Sequence, residues 1–403
     1  MDSQIELNEM TVNNGQYLFL LPLGIYCMIL PFEGLLTLGS TEAQTTISKY
    51  VGLLVIYLFS INWVFLKPSF RQSKARLWLV LYVGFACLSL AWSIDPEKTI
   101  ERIPTQVNLL LFYLVVGTFR TDRKGFDIMI RMIVAGGIAT ALFLIYDYYF
   151  LGTLYTQTMR ASIAFGETAI NPNSLAFLQL LPFGFLLSRL TQARGLWQRL
   201  GYLLAFSAMG YAMLVTGSRG GMLGMLVIVS FYFCRKSFKG TRFVAIALII
   251  VTILVGFTSD IFIQRMTFQQ EKSLYSRELI LLTGLSALPH YWLLGGGMDT
   301  FPTLFFLTAG GRHYGPHNIY LGTLLELGLV GLSLFALALV YHFKSLRTSY
   351  PSQADTAFAL MATLTGMLVM AASIDILWMK SFWTVLALTM MLSNATTEAA
   401  RQR

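Results

Sequence analysis

Charge is scarce in this sequence. Asp, Glu, Lys and Arg together make up 12% of its 403 residues, about half the share of an ordinary soluble domain. With 56% hydrophobic residues and a mean hydropathy of +0.63, that deficit excludes a water-soluble globular chain. Cysteine is nearly lacking as well. Cys27, Cys87 and Cys234 all lie in apolar runs, so they read as buried thiols and not as a disulfide framework. The first residues carry Asp2, Glu6 and Glu9 but no Lys or Arg, unlike a cleavable signal peptide. Missing too are an HExxH zinc pattern, a Walker loop and a dinucleotide fingerprint. No obvious pair of carboxylates suits glycoside hydrolysis.

What is present is a series of long apolar blocks. They predict an all-α, polytopic membrane protein, because barrel strands would instead give short alternating segments. The blocks suggest about twelve transmembrane helices, several needing their flanks to reach the usual ~20 residues. They fall at 16–36, 50–66, 77–93, 104–119, 128–150, 173–190, 200–217, 220–234, 243–259, 317–341, 355–374 and 378–394. Residues 1–403 thus form a single membrane domain. Lys and Arg concentrate in the alternate connections that hold Lys67, Lys124, Arg194, Lys239 and Lys344, which places both termini in the cytoplasm. The net charge of +9 reflects this distribution and implies no nucleic acid. One outer cluster runs against the bias: Arg219, Arg265, Lys272, Arg277 and Arg312. Four of these five lie in the longest polar segment, 259–316, expected to face the periplasm with a short helix over 277–289 opened by a cap at Ser276.

His317 follows Pro316 where this loop gives way to the next apolar run. That position is expected near the first turn of a helix, where proline is tolerated and the dipole is positive. Gly322, Gly328 and Gly331 further along predict close helix packing. A histidine there either caps the helix or, kept neutral by nearby positive charge, accepts a proton at neutral pH. The surrounding arginines favour the base. Arg219, in TGSRGG between two apolar runs, is costly unless it snorkels or binds an anion. Arg277 either pairs with loop carboxylates or joins it, and Arg265 and Arg312 are weaker members of the set. One imidazole and several guanidinium groups together suggest a base beside a phosphate or pyrophosphate clamp. His313 and His317 are four apart, but Gly315-Pro316 between them breaks any helix that would align them on a metal. Glu326 is nine residues beyond His317, on the opposite helix face, and reads as a buried, hydrogen-bonded residue. A secondary transporter using Glu326, Asp147 and His317 is the non-enzyme alternative, disfavoured because the charges gather at one surface.

His317-Asn318, nine residues, Gly328, two residues and Gly331 resemble the signature of bacterial O-antigen ligases and the related O-antigen polymerases. The resemblance extends to TGSRGG at 216–221, SRELILLTGLSALPHYWLLGGGMDTF at 276–301, WSIDPEKTIER at 92–102 and NPNSLAF at 171–177. It implies a GT-C-like inner-membrane glycosyltransferase whose site faces the periplasm. The implied donor is a glycan on undecaprenyl pyrophosphate. The acceptor is a sugar hydroxyl of lipid A–core in a ligase, or the end of another lipid-linked repeat in a polymerase. The family's essential histidine matches His317 and its arginines match Arg219 and Arg277. Arg312, Arg265, His313 and Asn318 complete the expected substrate-binding set. The donor carries its own activation, so no cofactor, nucleotide or metal ion is implied. The short 151–172 loop favours the ligase, since such polymerases often carry two sizeable arginine-rich outer loops. Oligomeric state is not implied.

Overall fold

A computed structural model of the chain describes residues 19–32, 37–38, 45–61, 73–119, 121, 123–151, 160–162, 164–165, 168–234, 271–310, 314–349 and 353–401. Among them the structure is almost wholly helical, the strands being two antiparallel pairs of two residues each. The helices are α1 (Phe19–Ile29), α2 (Ile47–Ile61), α3 (Lys74–Leu88), α4 (Pro96–Thr118), α5 (Arg123–Tyr146), α6 (Pro172–Gln192) and α7 (Leu196–Val215). There follow α8 (Arg219–Cys234), α9 (Glu271–Tyr291), α10 (Phe301–Ala309), α11 (Ile319–Ser349), α12 (Ala354–Met370) and α13 (Lys380–Arg401). All but α9 and α10, which lie in the 259–316 segment, overlap expected apolar segments, and the expected segment 243–259 lies outside the described residues. Among the described residues four stretches are long and apolar enough to cross a membrane: Lys74–Trp92, Arg123–Leu151, Pro172–Gln192 and Ile319–Ser349.

Local chemistry sets several of the starts. Asp95 caps α4 by accepting from Lys98 N at 3.3 Å, with Pro96 in the first position. Asn171 does the same for α6, accepting from Asn173 N at 2.9 Å ahead of Pro172. Side-chain oxygens there satisfy donors that the helix leaves open, and proline lacks the donor that would be wasted. α6 is buried nearly all round, as a helix apolar on every face should be. Around it α5 packs along α6 and α7, α12 along α6 and α8, α3 along α11, and α13 along α4 and α11.

The long helix α11 is broken. Gly328 has φ 66° and ψ −170°, a conformation essentially reserved for glycine. The break releases backbone groups on both sides, and the segment 292–297 takes them up. Leu329 N donates to Trp292 O at 2.8 Å and Val330 N to Leu293 O at 3.3 Å. In return Gly296 N donates to Leu325 O and Gly297 N to Glu326 O, both at 2.8 Å. Contact is so close that a Cβ on Gly328 would lie 2.0 Å from Leu293 O. Gly328 is therefore a backbone break strapped to the preceding loop, which corrects the expectation that it serves helix–helix packing. Two further details differ from the sequence reading. α9 begins at Glu271, so Ser276 sits inside it and not at its cap. α11 begins at Ile319, so His317 lies just outside the helix.

Replacing Gly328 with alanine should cost about 2 kcal/mol or more, from the backbone conformation and the collision together. Gly315, whose Cβ would meet nothing within 4 Å, supplies the control. Thermal unfolding in detergent should show a clear drop in midpoint for Gly328→Ala and little change for Gly315→Ala. Equal midpoints would contradict the assigned break.

Candidate functional site

One end of the bundle collects the segments that the sequence reading singled out: the starts of α4, α6, α8, α11 and α13 and the ends of α3, α7 and α12. On this end sits a small second core. Ile280 and Ala287 of α9 pack with Phe301, Leu304 and Phe305 of α10 and with Leu321 and Leu325 of α11. It fixes α9, and hence Arg277, over the start of α11.

His317 precedes that start. Its φ is 44°, an uncommon value for a residue with a Cβ. Two neighbours hold it there. Asn318 is the cap of α11, its Oδ1 accepting from Tyr320 N at 2.9 Å and Leu321 N at 3.2 Å. Ile319 N donates to Ala371 O at 3.0 Å, tying the turn to the end of α12. Residue 317 is exposed overall, yet its ring lies close enough to protein atoms that desolvation lowers its pKa, and the charge of Arg277 lowers it further. The pKa of Arg277, itself half-buried on α9, is lowered by desolvation and by the charge of Arg219. The three side chains thus form an electrostatic sequence from Arg219 through Arg277 to His317.

Arg219 opens α8 and is half-buried. The turn before it is enclosed: Thr216, Gly217 and Ser218 are all buried, and Gly217 has φ 58°. Ser218 Oγ accepts from Gly221 N at 3.2 Å. Gly220 lies against Ser373, beyond the end of α12. From the other side Arg160, 6% exposed, donates from Nε to Thr216 O at 2.7 Å and from Nη2 to Asn173 Oδ1 at 2.8 Å. A buried arginine therefore joins NPNSLAF to TGSRGG. That positioning role was not foreseen, although Arg160 stood in the 151–172 loop that leads into NPNSLAF.

WSIDPEKTIER docks on the glycine-rich strap. Ile94 N donates to Gly296 O at 2.8 Å, and Thr99 Oγ1 to Met298 O at 2.9 Å. Arg102 forms an ion pair with Asp299 and lies 4.9 Å over the Trp378 ring. Glu326 is buried, and its Oε1 accepts from Phe301 N at 3.1 Å at the start of α10, which agrees with its expected hydrogen-bonded character. Asp375, between α12 and α13, accepts from Leu377 N and Trp378 Nε1, both at 3.0 Å. Burial pushes its carboxyl up to about 6. Arg265, Arg312 and His313 lie outside the described residues.

Residues 204–336 match the model of the O-antigen ligase family. The match encloses Arg219, Arg277 and His317. The chain is 24% identical over 324 residues to the exopolysaccharide production protein ExoQ of Rhizobium meliloti (strain 1021), covering 74% of this chain and 71% of that protein. A chain from a solved structure of a peptidoglycan synthase complex is similar with a TM-score of 0.48 and 16% identity, over 80% of this chain and 97% of that one. With its apolar helices the chain is an integral membrane protein, and its segment 204–336 is similar to the O-antigen ligase family.

The capping geometry assigns Asn318 a structural part, where substrate contact was expected. Asn318→Ala should cost about 1 kcal/mol of stability, and Asn318→Ser, which keeps a capping oxygen, only a few tenths. Thermal midpoints measured beside glycan transfer check this. Transfer lost in Asn318→Ser at an unchanged midpoint would assign the side chain to the substrate instead.

Proposed function

We propose that this chain is an O-antigen ligase of the inner membrane. It transfers a glycan from undecaprenyl pyrophosphate to a sugar hydroxyl of lipid A–core, with its site and the 259–316 segment on the periplasmic side. It crosses the membrane about twelve times in a GT-C-like arrangement, with both termini in the cytoplasm. The single observation that carries the reading is the electrostatic sequence Arg219–Arg277–His317 at one end of the bundle.

Each group has a part to play. Neutral His317 takes the proton of the acceptor hydroxyl as the oxygen bonds to the anomeric carbon. The bond from that carbon to the pyrophosphate breaks, and the electron pair leaves on the pyrophosphate, which stays attached to undecaprenol. Arg277 and Arg219 offset the charge developing on that leaving group, an effect strongest where donors are fixed in advance. Two guanidinium groups suit a dianionic diphosphate ester better than one, since each presents a planar fork to phosphate oxygens. His317, open to solvent, then returns its proton to water. A leaving group this stable needs no carboxylic acid to protonate it. Arg265, Arg312 and His313 would reach the same anion from the loop.

A second reading has one observation in its favour. The relative from Rhizobium meliloti is named for exopolysaccharide production, a name that suits a polymerase joining lipid-linked repeats. The lipopolysaccharide profile of a deletion strain separates the two. A ligase predicts bare core together with accumulating lipid-linked polymer, whereas a core bearing one repeat would indicate the polymerase. Complementation with His317→Ala should restore less than about a hundredth of the wild-type transfer rate, with the protein still present in the membrane.

The pH profile gives an independent check. The working form of His317 is neutral. Burial and Arg277 both hold its pKa below the ordinary value of about 6.5. Transfer should therefore be full above that pH and fall only as pH drops through the lowered value. Asp375 titrates nearby, but Asp375→Asn should leave this acid limb in place. An acid limb centred above pH ~6.5, or one that vanishes in Asp375→Asn, would contradict the base assignment.

A further inference from the structure

The opposite end of the bundle holds a second cationic site. Between the start of α3 and the last turns of α11 lies a cavity of about 350 Å³, whose lining includes Lys74, Arg76 and Lys344 and, among the described residues, no acidic one. The two ammonium groups converge on one aromatic ring. Lys74 Nζ is 5.7 Å and Lys344 Nζ 4.8 Å from the centre of the Tyr341 ring. Arg76 forms the inner wall, 9% exposed, with its Nη2 donating to Gly117 O. Asn394 Nδ2 donates to the same carbonyl at 2.8 Å. The guanidinium is thus held in position. The positive end of α3 adds to the field, since Ser73 supplies no side-chain cap.

The surface below these cations is apolar. On α3, Leu77 and Leu81 follow Lys74 by three and seven positions on one face, and they are 54% and 43% exposed. On α11, Leu337 and Val340 stand four positions before Tyr341 and Lys344 and are also exposed. A free anion would use only the cations. A molecule with an anionic head and acyl chains would use both parts at once.

We propose that this cavity holds the phosphodiester head group of an anionic phospholipid, with its acyl chains lying along Leu77, Leu81, Leu337 and Val340. Basic cavities between helices at a membrane face are suited to such head groups. The site lies at the far end of α11 from His317, so its occupant is distinct from the glycan donor. In the orientation proposed above it belongs to the cytoplasmic leaflet.

The test uses the full chain in nanodiscs of phosphatidylglycerol and phosphatidylethanolamine, released into detergent and weighed intact by native mass spectrometry. Wild-type protein should retain phosphatidylglycerol in preference to phosphatidylethanolamine, and excess inorganic phosphate should not displace it. The double variant Lys74→Gln/Lys344→Gln, whose two altered side chains are exposed, should lose retention roughly tenfold or more at an unchanged thermal midpoint. Single Lys344→Gln should fall between the two. Equal retention in the double variant, equal retention of both lipids, or full displacement by inorganic phosphate would overturn the proposal, the last by showing a free-anion site.

Discussion

A helix that breaks among apolar side chains must find partners for every backbone group it releases, because lipid supplies none. At Gly328 the partners come from a single neighbouring stretch, 292–297, through four hydrogen bonds that run in both directions. Much of the candidate site hangs on this exchange. The strap continues through Asp299, to which Arg102 is paired, into α10, whose first N–H is held by Glu326. α10 and α9 then share a small core with the first turns of α11, and that core sets Arg277 above His317. Irregular backbone is tolerated at this depth because it is enclosed by protein.

The electrostatics follow from the same enclosure. Two guanidinium groups in water would scarcely affect one another beyond a few ångströms, since the solvent screens them. Partial burial removes some of that screening, so Arg219 destabilises the charge on Arg277 and Arg277 destabilises a proton on His317. An array of this kind has two consequences. It keeps the imidazole neutral, the form able to take a proton. It also leaves a local excess of positive charge that an incoming diphosphate relieves. In the proposed function, binding the donor and readying the base are thus two effects of one arrangement.

Much of this was legible in the sequence, and the parts that were not share a cause. The helical blocks could be read because apolar residues come in runs bounded by polar segments. Arg219 and His317 stood out because a charged or titratable group at an apolar boundary needs a reason to be there. The break at Gly328 was hidden: it lies inside a largely apolar run without proline, and the distant stretch 292–297 explains it. Arg160 was read only as an outer-loop cation for the same reason, as its partners at Thr216 and Asn173 become neighbours only in the folded chain. Ser276 resembled a cap, but the helix-compatible residues before it carry α9 back to Glu271. The capping of α11 by Asn318 went unread beside its expected part in substrate binding. Periodicity reports what a residue is beside along its own element, and the contacts of Gly328 and Arg160 join separate elements.

The central claim is that Arg219 and Arg277 bind a pyrophosphate beside a neutral His317, and the most direct test is an experimental structure of the chain in a lipid disc with an undecaprenyl-pyrophosphate glycan bound. The account predicts phosphate oxygens within about 3 Å of both guanidinium groups, with the anomeric carbon turned toward the His317 ring. Pyrophosphate found elsewhere on the protein, or bound at this end without contact to either arginine, would contradict it.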